Sequence, residues 1–180
     1  MDIKQDLLTV NPYSRPGDKL HKLRGLVLHW VGNPKTTAQF NRDFFEMRKD
    51  GEHGTGGAHL IVDLDGSVVQ CVPFDELTHH AGPTAKTTAN AKKWLGDYPN
   101  GCTIGIETCH LDWKGTYTPE TYRSMIDLCV LLCKSYGLTE KDVYTHELIT
   151  GKDCPRWFYD DPSRFARFLE EVELGLLDSP

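Results

Sequence analysis

The segment Arg24–Val31, RGLVLHWV, constrains the fold more than any other part of the chain. It is short, apolar and bounded by Gly25 and Gly32, which reads as a buried strand. A buried strand needs neighbouring strands and covering layers, and the flanking sequence offers both. Ala58 to Asp63 and Ser67 to Val72 read as a hairpin around Leu64-Asp65-Gly66, an Asp-Gly turn signal. Thr103 to Cys109 (TIGIETC) is another strand, whose alternation sets Ile104 and Ile106 on one face and Thr103, Gly105 and Glu107 on the other. Val143 to His146 forms a shorter one. Between them, Thr36 or Thr37 caps a helix that runs to about Lys49, with Phe40, Phe44 and Met47 at helical spacing and Gly51 just past its end. Pro119, after a Thr118 cap, opens the clearest helix, with a stripe of Tyr122, Met125, Ile126, Cys129, Cys133 and Tyr136 that ends at Gly137. A last helix follows Asp161-Pro162, with Phe165, Phe168, Leu169, Val172 and Leu176 on its buried face. The expected fold is α/β, a central mixed β-sheet flanked by α-helices in a single domain. Residues 1–23 read as an irregular lead-in of that domain, 24–177 as its body and 178–180 as the start of a linker. The stretch from Pro73 to Gly101 reads as one long irregular loop, and loops of that length are usually functional.

Composition supports one packed domain. The chain has 180 residues, 39% hydrophobic and 26% charged, which is long enough to bury most of the surface an unfolded chain exposes. Its net charge of −6 is spread along the sequence. No basic run follows a phosphate backbone, so no nucleic-acid partner is expected. No apolar stretch approaches a membrane span, and Met1 to Val10, carrying Asp2 and Asp6, lacks the continuous apolar core of a secretory signal. The expectation is a monomer made in a cytoplasm, without membrane insertion. The six cysteines show no dense spacing and read as mostly reduced thiols.

Eight histidines must be sorted by context, because a histidine is more often a hydrogen-bonded structural residue than a ligand. His146-Glu147 begins like the helical HExxH zinc motif, but the fifth position is Thr150. The PCxxC arm of a nucleobase deaminase is missing, and Cys129 and Cys133 sit inside an apolar helix stripe as small core residues. Neither a GxSxG elbow nor a P-loop occurs. The positive signal is Thr145 to Pro155, THELITGKDCP, which supplies His146 and Cys154 with Lys152 two positions before the thiol. If that stretch is extended, Lys152 and Cys154 share a side, where the cation would favour the thiolate form.

LVLHW at 26–30, GGAHLIVDLDGSVVQ at 56–70, HHAG at 79–82, TIGIET at 103–108 and HELITGKDCP at 146–155 occur together in this order. This set resembles the type 2 N-acetylmuramoyl-L-alanine amidases, zinc enzymes related to phage T7 lysozyme and to peptidoglycan recognition proteins. The likeness runs from about residue 24 to 158. It implies that His29, His146 and Cys154 bind one zinc ion, that Glu107 is the catalytic carboxylate, that Lys152 lies next to the metal and that His80 lines the substrate groove. Some members carry a catalytic tyrosine where this chain has Ala58, which shifts proton handling onto Glu107. Receptors in the family that bind without cutting usually lack the cysteine ligand, and its presence here favours an enzyme.

The implied reaction is hydrolysis of the amide between the muramic acid lactyl group and L-alanine in bacterial peptidoglycan. A polymeric substrate requires an open groove with the zinc site at its edge. Its walls are expected from the 73–101 segment and from Trp94, Trp113 and Trp157, although each tryptophan is equally well explained as cover for the core. The absence of a signal peptide fits a phage endolysin released through holin-type membrane holes at lysis. The rival expectations are a non-catalytic peptidoglycan-binding module and a cytoplasmic muropeptide-recycling amidase.

Overall fold

In the computed structural model, which describes residues 1–178, one sheet gathers β1 (Ile3–Gln5), β2 (Gly25–Leu28), β3 (Leu60–Val62), β4 (Val68–Gln70), β5 (Thr103–Thr108) and β6 (Val143–Thr145). Their spatial order is β1-β4-β3-β5-β2-β6, with β3 and β4 antiparallel and every other pair parallel. The helices are α1 (Ala38–Met47), α2 (Ala89–Leu95), α3 (Pro119–Tyr136), α4 (His146–Thr150), α5 (Arg156–Tyr159) and α6 (Pro162–Leu177). The expected α/β architecture is therefore the observed one, and no helix among the described residues is long and apolar enough to cross a membrane.

Period-two alternation assigns each sheet face to its own helices. Leu26, Leu28, Ile104 and Ile106 point to the side covered by α3 and α6, where they pack with Met125, Cys129, Phe168 and Val172. Val27 faces the opposite side with Ala91, Leu95 and Ile149 from α2 and α4, and Ile61 and Val69 meet Ala38 and Phe45 of α1 there. Each fully buried Leu, Ile or Phe contributes roughly 1.5–3 kcal/mol, so β2 and β5, buried on both faces, anchor a rigid platform. The helix ends follow their local chemistry. Thr37 and Thr118 accept from the backbone N–H groups of Phe40 and Thr121, and Gly137 stops α3 in the left-handed conformation.

Three expectations change. The lead-in is not wholly irregular, because Ile3–Gln5 pairs in parallel with β4 at the sheet edge; three residues are too few to show a period. The 73–101 segment is not one loop but carries α2, capped by Thr88 and stopped at Gly96, between short 3-10 turns at Thr84–Lys86 and Pro99–Gly101. On α1, the residues at helical spacing, Phe40, Phe44 and Met47, lie on the exposed side, while Ala38, Asn41 and Phe45 face inward. Tyr136, expected in the stripe of α3, is likewise exposed at the helix end. Of the expected linker start, Ser179 and Pro180 lie outside the described residues. All six cysteines are free thiols, as expected.

Candidate active site

The site forms where three parallel strands end side by side. The pairing of β2 runs to Leu28 opposite Ile106 on one flank and opposite Thr145 on the other. The next residue of each strand is His29, Glu107 and His146. All three emerge at the carboxyl ends of neighbouring strands, the usual location of ligand sites in open α/β sheets. His29 and Glu107 lie on the sheet face away from Ile104 and Ile106, as alternation requires. His146 opens α4, whose N-cap Thr145 accepts from Leu148.

Cys154 is delivered differently from the extended stretch considered for residues 145–155. Four residues after His146 the chain leaves α4, turns at Gly151 in the left-handed conformation and comes back. The backbone N–H of Glu147 then donates to the Cys154 carbonyl at 2.9 Å, which pins the thiol beside the histidine that precedes Glu147. Lys152, on the turn, still reaches the same groove as Cys154.

His29 Nδ1 lies 3.0 Å from His146 Nδ1 and 3.9 Å from Cys154 Sγ. All three residues are buried, and one donor atom from each falls within 4.8 Å of the others. Tetrahedral coordination at ordinary metal–ligand lengths sets two nitrogens about 3.3 Å apart and a nitrogen and a sulfur about 3.6 Å apart. The observed separations fall a few tenths of an ångström to either side, so the cluster suits a metal ion.

The hydrogen bonds behind His29 fix its tautomer. His80 Nε2 lies 3.3 Å from the Thr103 carbonyl oxygen, which can only accept. That nitrogen must carry a proton, and it also faces Thr103 Oγ1, which donates its own hydrogen to the Pro99 carbonyl. His80 Nδ1 is then an acceptor, and it receives the N–H of His29 Nε2 at 3.0 Å. His29 Nδ1 is left with its lone pair aimed at His146 and Cys154, the state a metal ligand needs. Burial pushes the pKa of His29 and His80 well below the ordinary histidine value and that of His146 down to about 4, so all three are neutral at pH 7.

His80 lines the groove, and both of its ring nitrogens are committed to protein partners. The close fit of His80 against β5 depends on Gly105, where a Cβ would come within 2.5 Å of the His80 ring. Burial raises the Cys154 thiol to about 12, and the neighbouring Glu107 adds to this. The expected lowering by Lys152 is present but smaller, so a metal cation must displace a bound proton. Burial also lifts the Glu107 carboxyl to about 8 against the opposing pull of Lys152 and Arg48, and its Oε2 is buried without a partner.

The groove above these residues has a volume of about 490 Å³. Four of its wall residues, Trp30, Phe44, Arg48 and His79, were not legible as site residues in the sequence. The hints were that Trp30 and His79 fall inside the LVLHW and HHAG segments and that Phe44 belongs to the apolar spacing on α1. Trp94 is not brought to the groove; it stacks on Tyr144 with ring centroids 5.4 Å apart, exposed on α2. Trp157 is covered by Arg164, whose guanidinium carbon sits 3.7 Å from the ring centroid, and Trp113 is exposed on a turn. Ala58 is fully buried in the apolar cluster under α1 and lends no polar group to the site.

Comparison with known proteins agrees with this geometry. A probable N-acetylmuramoyl-L-alanine amidase of Bacillus licheniformis is 29% identical over 168 residues, 93% of this chain and 46% of that protein. The amidase BlyA of Bacillus subtilis is 28% identical over 172 residues, 92% and 45% of the two chains. The chain thus spans about half the length of these curated relatives. Among solved structures, PlyL superposes with a TM-score of 0.77 at 20% identity over 97% of this chain and 99% of that one. The catalytic domain of XlyA gives 0.71 at 23% over 94% and 99%. At those identities the likeness is one of fold. The sequence profile of one family matches residues 19–157, from the lead-in through the last metal-donor segment, and the chain belongs to that family, N-acetylmuramoyl-L-alanine amidase.

Proposed function

We propose that this chain is a zinc-dependent N-acetylmuramoyl-L-alanine amidase, hydrolysing the amide that joins the muramic acid lactyl group to L-alanine in bacterial peptidoglycan. The observation that carries this is the convergence of His29, His146 and Cys154, all buried, at the floor of a groove that also holds Glu107 and Lys152. His29, His146 and Cys154, two neutral imidazoles and one thiolate, would hold zinc, which would supply Lewis acidity to the reaction. Glu107 removes a proton from the attacking water and returns it to the departing amine nitrogen. Its carboxyl lies in the groove with Oε2 buried and unpartnered, positioned to exchange that proton. Lys152 faces the negative charge that builds on the carbonyl oxygen, an effect worth about 3 kcal/mol for one well-placed donor. No tyrosine joins them, since Ala58 lies in the core.

A complete set of three donors favours an enzyme over a module that only binds peptidoglycan. Incubation with purified walls should release new amino termini of alanine from the stem peptides, and Glu107→Ala should abolish the release while its zinc content stays near one per chain. Near-normal rates in that variant with zinc bound would remove Glu107 from the mechanism. Under this proposal the wall itself is the substrate, as for an endolysin, so intact walls should be cut at least as fast as soluble muropeptides. The reverse preference would favour a recycling amidase.

A further inference from the structure

Arg48 is the charged residue of the groove that the reaction above does not use. It directly follows α1, in the wall that also holds Glu107 and Lys152. Arg15, Arg42, Arg123, Arg156 and Arg164 each pair with a carboxylate. Among the described residues, Arg48 has neither a salt bridge nor a side-chain hydrogen bond, and its Nε is buried with no acceptor.

It packs against the aromatic rings of α1 instead. Its guanidinium carbon sits 5.0 Å from the Phe44 ring centroid and 5.5 Å from that of Phe45, a stacked position that suits the planar group. Gly56 makes the room for it, because a Cβ there would overlap Arg48 Nη1. Phe44 is thereby explained, since its outward position on α1 forms one side of this clamp. The result is an unpaired guanidinium packed in a groove wall, and a guanidinium fork matches a carboxylate with two parallel hydrogen bonds.

Resting on the amidase function proposed above, the substrate offers such a group. In the stem peptide the residue after L-alanine is a D-glutamate linked onward through its side chain. Its α-carboxyl is therefore free, a carboxylate in some walls and a carboxamide in others. It lies two residues from the scissile bond, about 7 Å along an extended chain.

We propose that Arg48 is a carboxylate subsite that takes the free α-carboxylate of the second stem residue, so that the enzyme prefers D-isoglutamate stems to amidated D-isoglutamine stems. The test compares two synthetic tripeptides, N-acetylmuramoyl-L-alanyl-γ-D-glutamyl-L-lysine and its D-isoglutamine counterpart, with the wild type and with Arg48→Gln, both loaded with zinc. The wild type should favour the carboxylate by roughly tenfold or more in kcat/KM, expressed mainly in KM. Arg48→Gln should bring the ratio to within about twofold of unity, and Arg48→Lys should restore part of it. Because the ratio is internal to each variant, it is insensitive to partial misfolding. Equal cleavage of both substrates by the wild type overturns the subsite and leaves the amidase function standing. So does an equal loss on both in Arg48→Gln, which would mean that Arg48 acts only on Glu107. Failure of the wild type to cut either tripeptide or walls overturns the amidase function itself, and the subsite with it.

Discussion

Replacing His80 by alanine should weaken zinc binding without touching a zinc donor. The ring accepts the His29 Nε2–H at 3.0 Å and donates to the Thr103 carbonyl at 3.3 Å. Without it, His29 loses the bond that sets its tautomer, and a buried N–H is left unmet at a cost of about 1–3 kcal/mol. Losing the partner that orients a metal-binding histidine typically reduces metal affinity by about 10- to 100-fold, or roughly 1.4–2.8 kcal/mol. The variant is also less stable, since it opens a cavity against Gly105. His80→Asn separates the two effects, because the asparagine oxygen stands near the position of Nδ1 and can still accept from His29. Zinc dissociation constants from chelator competition on metal-stripped, folded protein should rank wild type tightest, His80→Asn next and His80→Ala weakest. An unchanged dissociation constant in a folded His80→Ala would refute the tautomer relay.

Other outcomes follow from the same geometry. Glu107 has a folded-state pKa of about 8, above its unfolded value of about 4.3. Its contribution to the stability of the metal-free protein is therefore full below about pH 4 and lost as pH rises through 8, by up to roughly 5 kcal/mol. Denaturant melts should show wild type losing more stability between pH 5 and 9 than Glu107→Gln, and parallel profiles would contradict the buried carboxyl. Gly105→Ala drives a methyl into the His80 ring and should cost about 1–3 kcal/mol, visible as a lower denaturation midpoint together with weaker zinc binding. Cys154→Ser should lose zinc retention on dialysis, and should remove most of the rise in Tm that zinc gives the wild type; an equal rise in the variant would exclude the thiol as a ligand.

Most of the fold was legible because its strands and helices carry their own signals. The run from Gly25 to Leu28 is apolar throughout, the hairpin turns at Asp65-Gly66, and Thr118-Pro119 and Gly137 bracket α3, so local chemistry and global packing agree. What escaped was short or depended on a partner. β1 exists because the edge of β4 accepts it, and α2 spans seven residues whose Thr88 cap and Gly96 stop were present but overshadowed by the prolines and glycines around them. The outward face of α1 was not assigned by the sequence, because spacing gives the period of a helix but not its phase.

The residues of the candidate site divide in the same way. The sequence by itself singled out the candidate donors, His29, His146 and Cys154, and the face of β5 on which Glu107 lies, since alternation and motif are properties of the chain. Tertiary structure alone decided that β5, β2 and β6 end side by side, which brings together residues up to 125 positions apart. It also decided that His80 backs His29 rather than offering its polar atoms to the groove, and that Arg48 stands there unpaired. Those facts depend on which buried groups find partners, and partners distant in sequence meet only when the sheet is assembled.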